Sequence, residues 1–230
     1  MESELLRLNG ILWSVFRMAE RSWLLRPQVA ENALTHIQNA VLRLEEVEIP
    51  LLEDTVAAYD SLLLTFGSKD INLQKILQSI KESNDNKRRN FKSHEIKVCY
   101  DLGLDWNEVE NKTNLSKEEI ISIHTSTQYS IAMFGFLLGF MFLEGLDQRI
   151  WVPRKDNPRT KVDSGSVGIG GEQTGIYSLE SPGGWQIIGR TPDQFFDINN
   201  ETPTKFTAGD IITFRKISSK EFESLEKKNG

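Results

Sequence analysis

Residues 165–192 read GSVGIGGEQTGIYSLESPGGWQIIGRTP, and this glycine-rich stretch is the most distinctive feature of the second half of the chain. It contains half of the 16 glycines in the protein. Glycine loses the most conformational freedom on folding and offers no side chain for packing. Such a density therefore indicates backbone that adopts positive φ or that approaches another backbone or a ligand closely.

Short runs of strand-forming residues alternate with these glycines, at residues 167–169, 176–177 and 185–188. The pattern predicts short strands joined by tight turns, and Ser-Pro-Gly-Gly at 181–184 is the strongest predicted turn. Further strands are predicted at residues 95–100, 128–136, 139–143 and 211–216. A closed or nearly closed β-barrel accounts for this arrangement. A glycine-rich barrel corner without any chemistry is the alternative to a binding site.

The first ninety residues alternate between strand patterns and helix patterns. Strand-like runs occur at residues 12–16, 22–25, 55–59 and 62–66. One helical face is formed by Leu34, Ile37, Val41 and Leu44, and a second by Leu73, Ile76, Leu77 and Ile80. Ser68 or Asp70 is the predicted N-cap of the second helix. Strands, helix, strands and helix in this order predict a small α/β unit of the split-βαβ type.

A polar stretch at residues 83–92 divides the chain into two predicted domains. An N-terminal α/β domain covers residues 1–90 and a β-barrel domain covers residues 91–230, so the predicted fold class is α+β. Within the second domain, Ser116-Lys-Glu-Glu119 has the spacing of a capping box, in which both side chains accept hydrogen bonds from free amides at a helix start. The helix that follows is predicted to end near His124.

Composition and charge argue against several classes of function. The formal net charge is −6, whereas nucleic-acid binding requires clustered cations. The basic run at residues 87–89 lies in the predicted linker, so no nucleic-acid partner is expected. The apolar run at 131–143 is shorter than the roughly 18 residues of a membrane span, and the acidic residues 1–4 do not resemble a secretory signal. A cytoplasmic protein without membrane association is therefore expected.

Motifs for metals and nucleotides are absent from the sequence. The single cysteine, Cys99, excludes an internal disulfide, and its apolar neighbours predict a buried strand residue. His36 is placed on the polar side of a helix, His94 in the linker and His124 at a helix end, so no zinc site is expected. The stretch 168–173 lacks the third glycine of a dinucleotide motif, and no phosphate-binding loop with Gly-Lys-Ser/Thr occurs.

Two arginines are the leading candidates for binding an anion. Pro153-Arg154 and Pro158-Arg159 repeat five residues apart. Proline restricts the backbone, so each arginine is presented from a stiffened loop, as bidentate binding of a carboxylate or phosphate requires. The alternative is that these arginines form salt bridges with acids of the barrel itself, such as Glu144 or Asp147.

Other candidates are polar and aromatic residues of the glycine-rich stretch, which tight turns are expected to gather at one mouth of the barrel. They are Gln173, Thr174, Tyr177, Trp185 and Arg190. His124 is the candidate catalytic acid or base. A helix C-terminus favours the protonated imidazole, and the alternative for His124 is a structural or capping role.

A series of ordered motifs resembles one known family. The motifs are His124, GFLLGF at 135–140, the two Pro-Arg pairs, GSVGI at 165–169, QTGIY at 173–177, SPGGW at 181–185 and GRTP at 189–192. The family is the B subunit of the bacterial ATP-dependent 5-oxoprolinase, also named allophanate hydrolase subunit 1 or the inhibitor of a sporulation sensor kinase. The resemblance is ordered between residues 98 and 215 and weaker over the first ninety residues.

This resemblance implies a fold, a reaction and partners. The fold is a cyclophilin-like β-barrel that follows an N-terminal α/β domain. The reaction is the ATP-dependent opening of 5-oxo-L-proline to L-glutamate, with ATP bound by or shared with a partner subunit. The partners are the second 5-oxoprolinase subunit, of the C type and expected as a separate polypeptide, and a third subunit of the A type.

The leading hypothesis is therefore a non-autonomous enzyme subunit whose barrel mouth forms part of a shared site. Arg154 and Arg159 would bind the anion and Trp185 would form an apolar wall. Gln173, Thr174 and Tyr177 would orient the ligand.

Other functions remain open beside this hypothesis. One is a protein inhibitor that binds the helical dimerisation bundle of a sensor histidine kinase. Another is a subunit of an allophanate- or urea-processing amidohydrolase or carboxylase, and a third is a member that only scaffolds its partner. The sequence also departs from the usual family pattern, because Leu138 and Asp163 stand where family members have prolines.

Overall fold

The computed structural model of the protein describes residues 4–8, 10–29, 32–79 and 91–229. The chain divides into two compact units, Met1–Arg89 and Asn90–Gly230. Residues 83–90 of the predicted linker, with the basic run at 87–89, lie outside the described residues, as does Ile80. In the described ranges, no helix is long and apolar enough to cross a membrane.

The N-terminal unit contains a five-stranded sheet and two helices in its described residues. The elements are β1 (Glu4–Leu8), β2 (Ile11–Ala19), β3 (Ser22–Pro27), α1 (Ala33–Glu46), β4 (Leu52–Ala57), β5 (Leu62–Phe66) and α2 (Leu73–Ser79). The strand order is β1-β2-β3-β5-β4. Because β5 pairs antiparallel with both β3 and β4, these two strands run parallel to each other, and α1 connects them. This is the split-βαβ arrangement that the sequence predicts.

Alternation of side chains explains how this sheet buries one face. Trp23 and Leu25 of β3 and Leu62 and Leu64 of β5 are buried, whereas the residues between them are partly exposed. This is the period of two that a strand imposes. Helix α1 contributes Ile37 to the same apolar cluster. The apolar face of the sheet and the apolar face of α1 therefore pack together in one two-layer core.

The start of α2 differs from the prediction of Ser68 or Asp70 as its N-cap. The Asn72 side chain accepts a hydrogen bond from the Lys75 amide (2.9 Å), as a cap next to the first helical residue does. Ser68 instead accepts from the Asp70 amide (3.1 Å) in the turn that precedes the helix. The predicted caps were wrong because this turn adds residues between Ser68 and the helix.

The second unit is built mainly from strands. Its described elements are β6 (Ser93–Val98), α3 (Trp106–Thr113), α4 (Lys117–Ser126), β7 (Gln128–Phe134), β8 (Met141–Glu144), β9 (Arg159–Val162), β10 (Ser166–Gly170), β11 (Gln173–Ile176), β12 (Ser181–Gly183), β13 (Gln186–Arg190), β14 (Ile211–Lys216) and α5 (Ser219–Asn229). Short 3₁₀ turns occur at Tyr100–Leu102 and Gln148–Ile150. Strands β9 and β12 pair with each other in a small separate sheet.

The other seven strands form one curled sheet in the order β13-β10-β11-β8-β7-β14-β6. Its two edges meet where Cys99, just after β6, exchanges backbone hydrogen bonds with Arg190 at the end of β13 (N···O 2.8 and 3.1 Å). This contact gives the sheet a barrel-like form around an apolar core that includes Ile131, Leu143 and Ile169. The predicted α+β fold class, with a barrel after an α/β unit, is confirmed.

Two local predictions in this unit were wrong. Residues Ser181–Gly183 form β12 rather than a tight turn. Pro182 is accommodated because a short edge strand does not require its missing amide in the ladder. His94 lies within β6 rather than in a linker, and its Nε2 atom hydrogen-bonds with Asp210 Oδ2 (3.0 Å).

The predicted capping box is confirmed in full. The Glu119 amide donates to the Ser116 hydroxyl (3.4 Å), and the Ser116 amide donates to the Glu119 carboxylate (2.8 Å). Helix α4 ends at Ser126, two residues beyond His124. Cys99 is fully buried, as its apolar neighbours predict.

Candidate functional site

The glycines of residues 165–192 allow an indole ring to lie close to the barrel strands. A Cβ atom at Gly170 would lie 2.7 Å from the Trp185 ring, and one at Gly175 would lie 2.9 Å from it. Both distances are well below van der Waals contact. Close packing therefore requires glycine at these two positions, whereas Gly171, with a φ of +73°, is required by the turn between β10 and β11.

Trp185 forms one wall of an open cavity of about 340 Å³ in the second unit. The lining is mostly apolar and aromatic, with two cationic side chains, and it comes from segments that are far apart in the sequence. The lining residues are Phe136, Phe140, Phe142, Arg154, Lys155, Pro158, Tyr177, Pro182, Gly183, Gly184 and Trp185. Concave, largely apolar sites with a few polar groups are typical of small-molecule binding.

Aromatic rings pack edge to face around this cavity. The Phe140 ring lies 5.0 Å from Tyr177 and 5.5 Å from Trp185, measured between ring centroids. Phe136 stands at the rim with 66% of its surface exposed and a φ of +65°. Positive φ is costly for a bulky residue. The rim therefore holds an exposed aromatic side chain on strained backbone.

Arg154 is the cation of this cavity that pairs with no acid of the described residues. Its guanidinium carbon lies 5.5 Å from the centre of the Trp185 ring, which is the geometry of a cation–π contact. Among the described residues, Arg154 forms no salt bridge, and its side chain is exposed. The guanidinium is therefore available to an anionic ligand.

Arg159 and Lys155, by contrast, are paired with two acids of α3 and its N-terminus. Arg159 donates two hydrogen bonds to the Asp105 carboxylate, one of them at 2.9 Å. Lys155 donates to Asp105 (3.0 Å) and to Glu108 (2.7 Å). Arg159 is thus held in a salt bridge, in agreement with the alternative that this arginine pairs with an acid of the protein itself. The acid is Asp105 rather than Glu144 or Asp147, and Asp147 pairs instead with Arg149.

These pairs lower the pKa of both carboxyl groups. Burial by itself would raise the pKa of Asp105, but hydrogen bonds from Arg159, the Ile187 amide and Lys155 outweigh it and lower the pKa. Hydrogen bonds from Lys155, Lys112 and Gln186 lower the pKa of Glu108 to about 2. Both acids are therefore ionised at neutral pH and neutralise Lys155 and Arg159.

Tyr177 brings a hydroxyl group to the cavity wall. Its ring is buried against Phe140, and burial raises the pKa of the phenol. The hydroxyl lies so close to Gly183 that a Cβ atom there would overlap it. Tyr177 is therefore a neutral hydrogen-bonding group at neutral pH.

His124 and Thr174 lie in the barrel core and do not line the cavity. The Thr174 hydroxyl donates to the Gly168 carbonyl (3.0 Å), so it accepts from His124 Nε2 (3.0 Å). His124 Nδ1 then accepts from the Tyr100 hydroxyl (2.7 Å). Burial lowers the pKa of His124 to about 3, so the imidazole is neutral. Both ring nitrogens have partners and the ring is inaccessible, which favours a structural role; an acid or base role stays a prediction.

Gln173 and Arg190 also lie away from this cavity. Gln173 begins β11 and is partly exposed, opposite Gly170. Arg190 donates to the Ser164 carbonyl (3.0 Å) and pairs with Glu226 of α5 (3.4 Å). The structure thus brings Arg154, Tyr177 and Trp185 together at one cavity and places Arg159 beside it.

Sequence reasoning missed Asp105, Glu108 and Lys155. The signal was weak, because acidic residues at the start of a helix are common for the helix dipole alone. Only the fold brings the loop at 153–159 against α3. In the described part of the chain, no group of three or more histidine, cysteine or acidic residues could hold a metal ion.

The chain belongs to the family described as the carboxyltransferase domain, subdomains C and D, whose model matches residues 13–206. The chain is 46% identical over 138 residues to the 5-oxoprolinase B subunit of Bacillus subtilis (strain 168). The aligned residues are 59% of this chain and 58% of that protein. It is 46% identical over 122 residues to the 5-oxoprolinase B subunit of Haemophilus influenzae, or 52% of this chain and 57% of that protein. The chain thus matches somewhat under three fifths of these relatives, and the family resemblance of its motifs is confirmed.

Solved structures agree with this assignment. The uncharacterized protein PH0987 from Pyrococcus horikoshii is 34% identical, with a TM-score of 0.56 over 90% of this chain and 99% of that chain. The protein TTHA0988 is 32% identical, with a TM-score of 0.76 over 86% of this chain and 40% of that chain. The Kluyveromyces lactis urea amidolyase is 18% identical with a TM-score of 0.76 over 98% of this chain and 16% of that chain, which shows a shared fold alone.

Proposed function

We propose that this chain is the B subunit of an ATP-dependent 5-oxoprolinase, which opens 5-oxo-L-proline to L-glutamate together with partner subunits of the C type and the A type. The observation that carries the proposal is the identity of 46% to a protein of that name. The cavity beside Trp185 supports it, because 5-oxoproline is a small ring that carries one carboxylate. ATP is assigned to a partner or a shared site, since the sequence contains no nucleotide-binding motif.

Each chemical feature of this ligand has a counterpart in the cavity. The carboxylate would accept two hydrogen bonds from the Arg154 guanidinium, the planar pairing that this group favours. The apolar ring edge would pack against Trp185 and Phe140. The Tyr177 hydroxyl would hydrogen-bond the lactam. A ligand of this size leaves part of the 340 Å³ cavity for a group from another polypeptide of the complex.

The test is to purify the chain with the products of neighbouring genes and to measure ATP hydrolysis with and without 5-oxoproline. We expect substrate-stimulated hydrolysis by the complex and none by the isolated chain. Arg154→Ala should reduce kcat/KM for 5-oxoproline on the order of 10²-fold, the typical loss when a charged partner is removed from a ligand carboxylate. Arg149→Ala is the matched control, because Arg149 is exposed and paired with Asp147.

Several outcomes would contradict the proposal. Full turnover by the isolated chain would show that it is autonomous. Stimulation by urea or allophanate instead of 5-oxoproline would favour a urea-processing enzyme, for which the match to the yeast urea amidolyase, 29% over 124 residues, gives a reason to test. A complex without turnover, combined with binding to a sensor-kinase dimerisation bundle, would favour the inhibitor function.

A further inference from the structure

We propose that Asp105 is a positioning residue that holds Arg154 over Trp185 in the geometry needed for ligand binding. That the ligand is a small carboxylate rests on the proposed function, whereas the positioning of Arg154 by Asp105 does not. Asp105 does not line the cavity, and only 5% of its surface is exposed. It acts through the loop at residues 153–159.

The backbone on both sides of Arg154 is bound to the chain around Trp185. The Lys155 amide donates to the Gly184 carbonyl (2.7 Å), and the Pro153 carbonyl accepts from the Gln186 side chain (3.2 Å). Gly184 and Gln186 are the neighbours of Trp185. Two hydrogen bonds therefore join the segment that carries Arg154 to the segment that carries Trp185, and they flank both residues.

The Asp105 carboxylate joins the same two segments through its side chain. It accepts from Lys155 and Arg159, which lie on the C-terminal side of Arg154 in the loop. It also accepts from the Ile187 amide (2.7 Å), two residues after Trp185. One buried carboxylate thus hydrogen-bonds to the arginine loop and to the strand that follows the indole.

Backbone contacts also fix Asp105 itself against β13. The amides of Leu104 and Asp105 both donate to the Ile187 carbonyl (2.8 and 3.0 Å). Glu108, one turn further along α3, accepts from Lys155 and from Gln186 (2.8 Å). Its side chain is 35% exposed, so it supports the same loop less strongly than Asp105.

Removing the Asp105 charge should loosen the loop at residues 153–159 without removing any side chain that lines the cavity. Asp105→Asn keeps the size of the side chain and an acceptor for the Ile187 amide, but Lys155 and Arg159 lose a carboxylate. The cations that lose this partner then repel one another and Arg154, and the loop gains freedom. Ordering one long side chain costs enough to change an affinity by up to about tenfold, so a Kd increase of about that size is expected.

The first measurement uses NMR on the isolated chain and needs no ligand. In Asp105→Asn, the Trp185 indole N–H signal should shift toward its position in Arg154→Ala, and the Arg154 Nε–H signal should show increased motion. Asp147→Asn removes a carboxylate that pairs with Arg149 elsewhere, and it should leave both signals unchanged. Unchanged signals in a folded Asp105→Asn protein would overturn the proposal.

The second measurement uses the complex and a double-mutant cycle with 5-oxoproline. Asp105→Asn should weaken binding about tenfold alone and should have no further effect on an Arg154→Ala background, because it acts through Arg154. Additive losses would overturn the proposal, since a purely structural defect is independent of Arg154. If wild-type protein binds no 5-oxoproline while the NMR signals respond as expected, the proposed function fails and the positioning role stands.

If Asp105→Asn does not fold, Glu108→Gln provides a second test. This substitution removes the other carboxylate partner of Lys155 at a more exposed site. It should move the Trp185 indole signal in the same direction by a smaller amount. No movement in this folded variant would overturn the proposal in the same way.

Discussion

Two polar clusters of the second unit differ in whether every group has a partner. Around His124, the ring nitrogens, the Tyr100 hydroxyl and the Thr174 hydroxyl satisfy one another inside the core. Around Asp105, two cations are paired, and Arg154 is left facing an open cavity without an acid among the described residues. A closed set of hydrogen-bonding partners inside the core stabilises the fold, whereas Arg154 at the cavity is the group that we propose to bind a ligand.

Breaking the closed cluster should give the largest loss of stability. His124→Ala removes a ring stacked on Phe214 (4.5 Å between centroids) and leaves the buried Tyr100 hydroxyl without its acceptor. Cavity formation and an unsatisfied polar group together should lower the free energy of unfolding by about 3–5 kcal/mol, measured by urea denaturation. His36→Ala, at a partly exposed position of α1, should cost less than about 1 kcal/mol. Normal stability with lost activity would restore the acid–base role for His124.

Lowering the pH should destabilise the cluster around His124. The folded pKa of His124, about 3, lies below the ordinary value of 6.5. The unfolded chain therefore binds the proton first, and stability present above pH 6.5 is lost as the pH falls toward 3. Between pH 7 and pH 5 this single group should account for about 2 kcal/mol. Urea titrations of wild type and His124→Gln should differ by that pH-dependent amount, and equal slopes would contradict a buried neutral imidazole.

The strained rim of the cavity should respond to glycine in the opposite sense to a regular strand. Because Phe136 has positive φ, Phe136→Gly should be more stable than Phe136→Ala by about 1 kcal/mol. At Phe142, within β8, the order should reverse, since glycine weakens a regular strand. Thermal unfolding of the four variants measures both differences. Equal stabilities at residue 136 would show that the rim is unstrained.

Arg154→Ala should have the smallest effect on stability of all these changes. The side chain is exposed and forms no salt bridge with described residues, so the main loss is its contact with Trp185. A decrease of about 0.5 kcal/mol is expected, measured beside the large loss of ligand binding. A loss of several kcal/mol would mean that Arg154 belongs to a closed structural cluster after all.

Local sequence signals predicted most of the elements. Helix α1, the capping box at Ser116 and Glu119, and most strands of both units follow from periodicity and from contacts a few residues apart, whereas β1 and β9 were not predicted. Two of the wrong predictions concern places where the partner strand is distant in the sequence. Ser181–Gly183 became a strand because β9 lies beside it, and His94 lies in β6 next to β14.

The candidate site was predicted only in part, and alternation along one strand shows why. Gln173 and Thr174 are neighbours in β11, so they must point to opposite faces. The sequence placed both at the barrel mouth, whereas Thr174 is fully buried beside His124. Which face is inside depends on how β11 pairs with β8 and β10, and that pairing is a property of the whole sheet.

The sequence alone determined most of the elements, the family and the presence of an arginine loop stiffened by Pro153 and Pro158, because each depends on neighbouring residues or on motifs in order. The tertiary structure decided which of the two loop arginines pairs with an acid among the described residues. Arg159 and Asp105 are 54 positions apart, and only the tertiary fold brings them within hydrogen-bonding distance. Charge pairing depends on distance in space, so Arg159 forms a salt bridge with Asp105, whereas Arg154 lines the cavity.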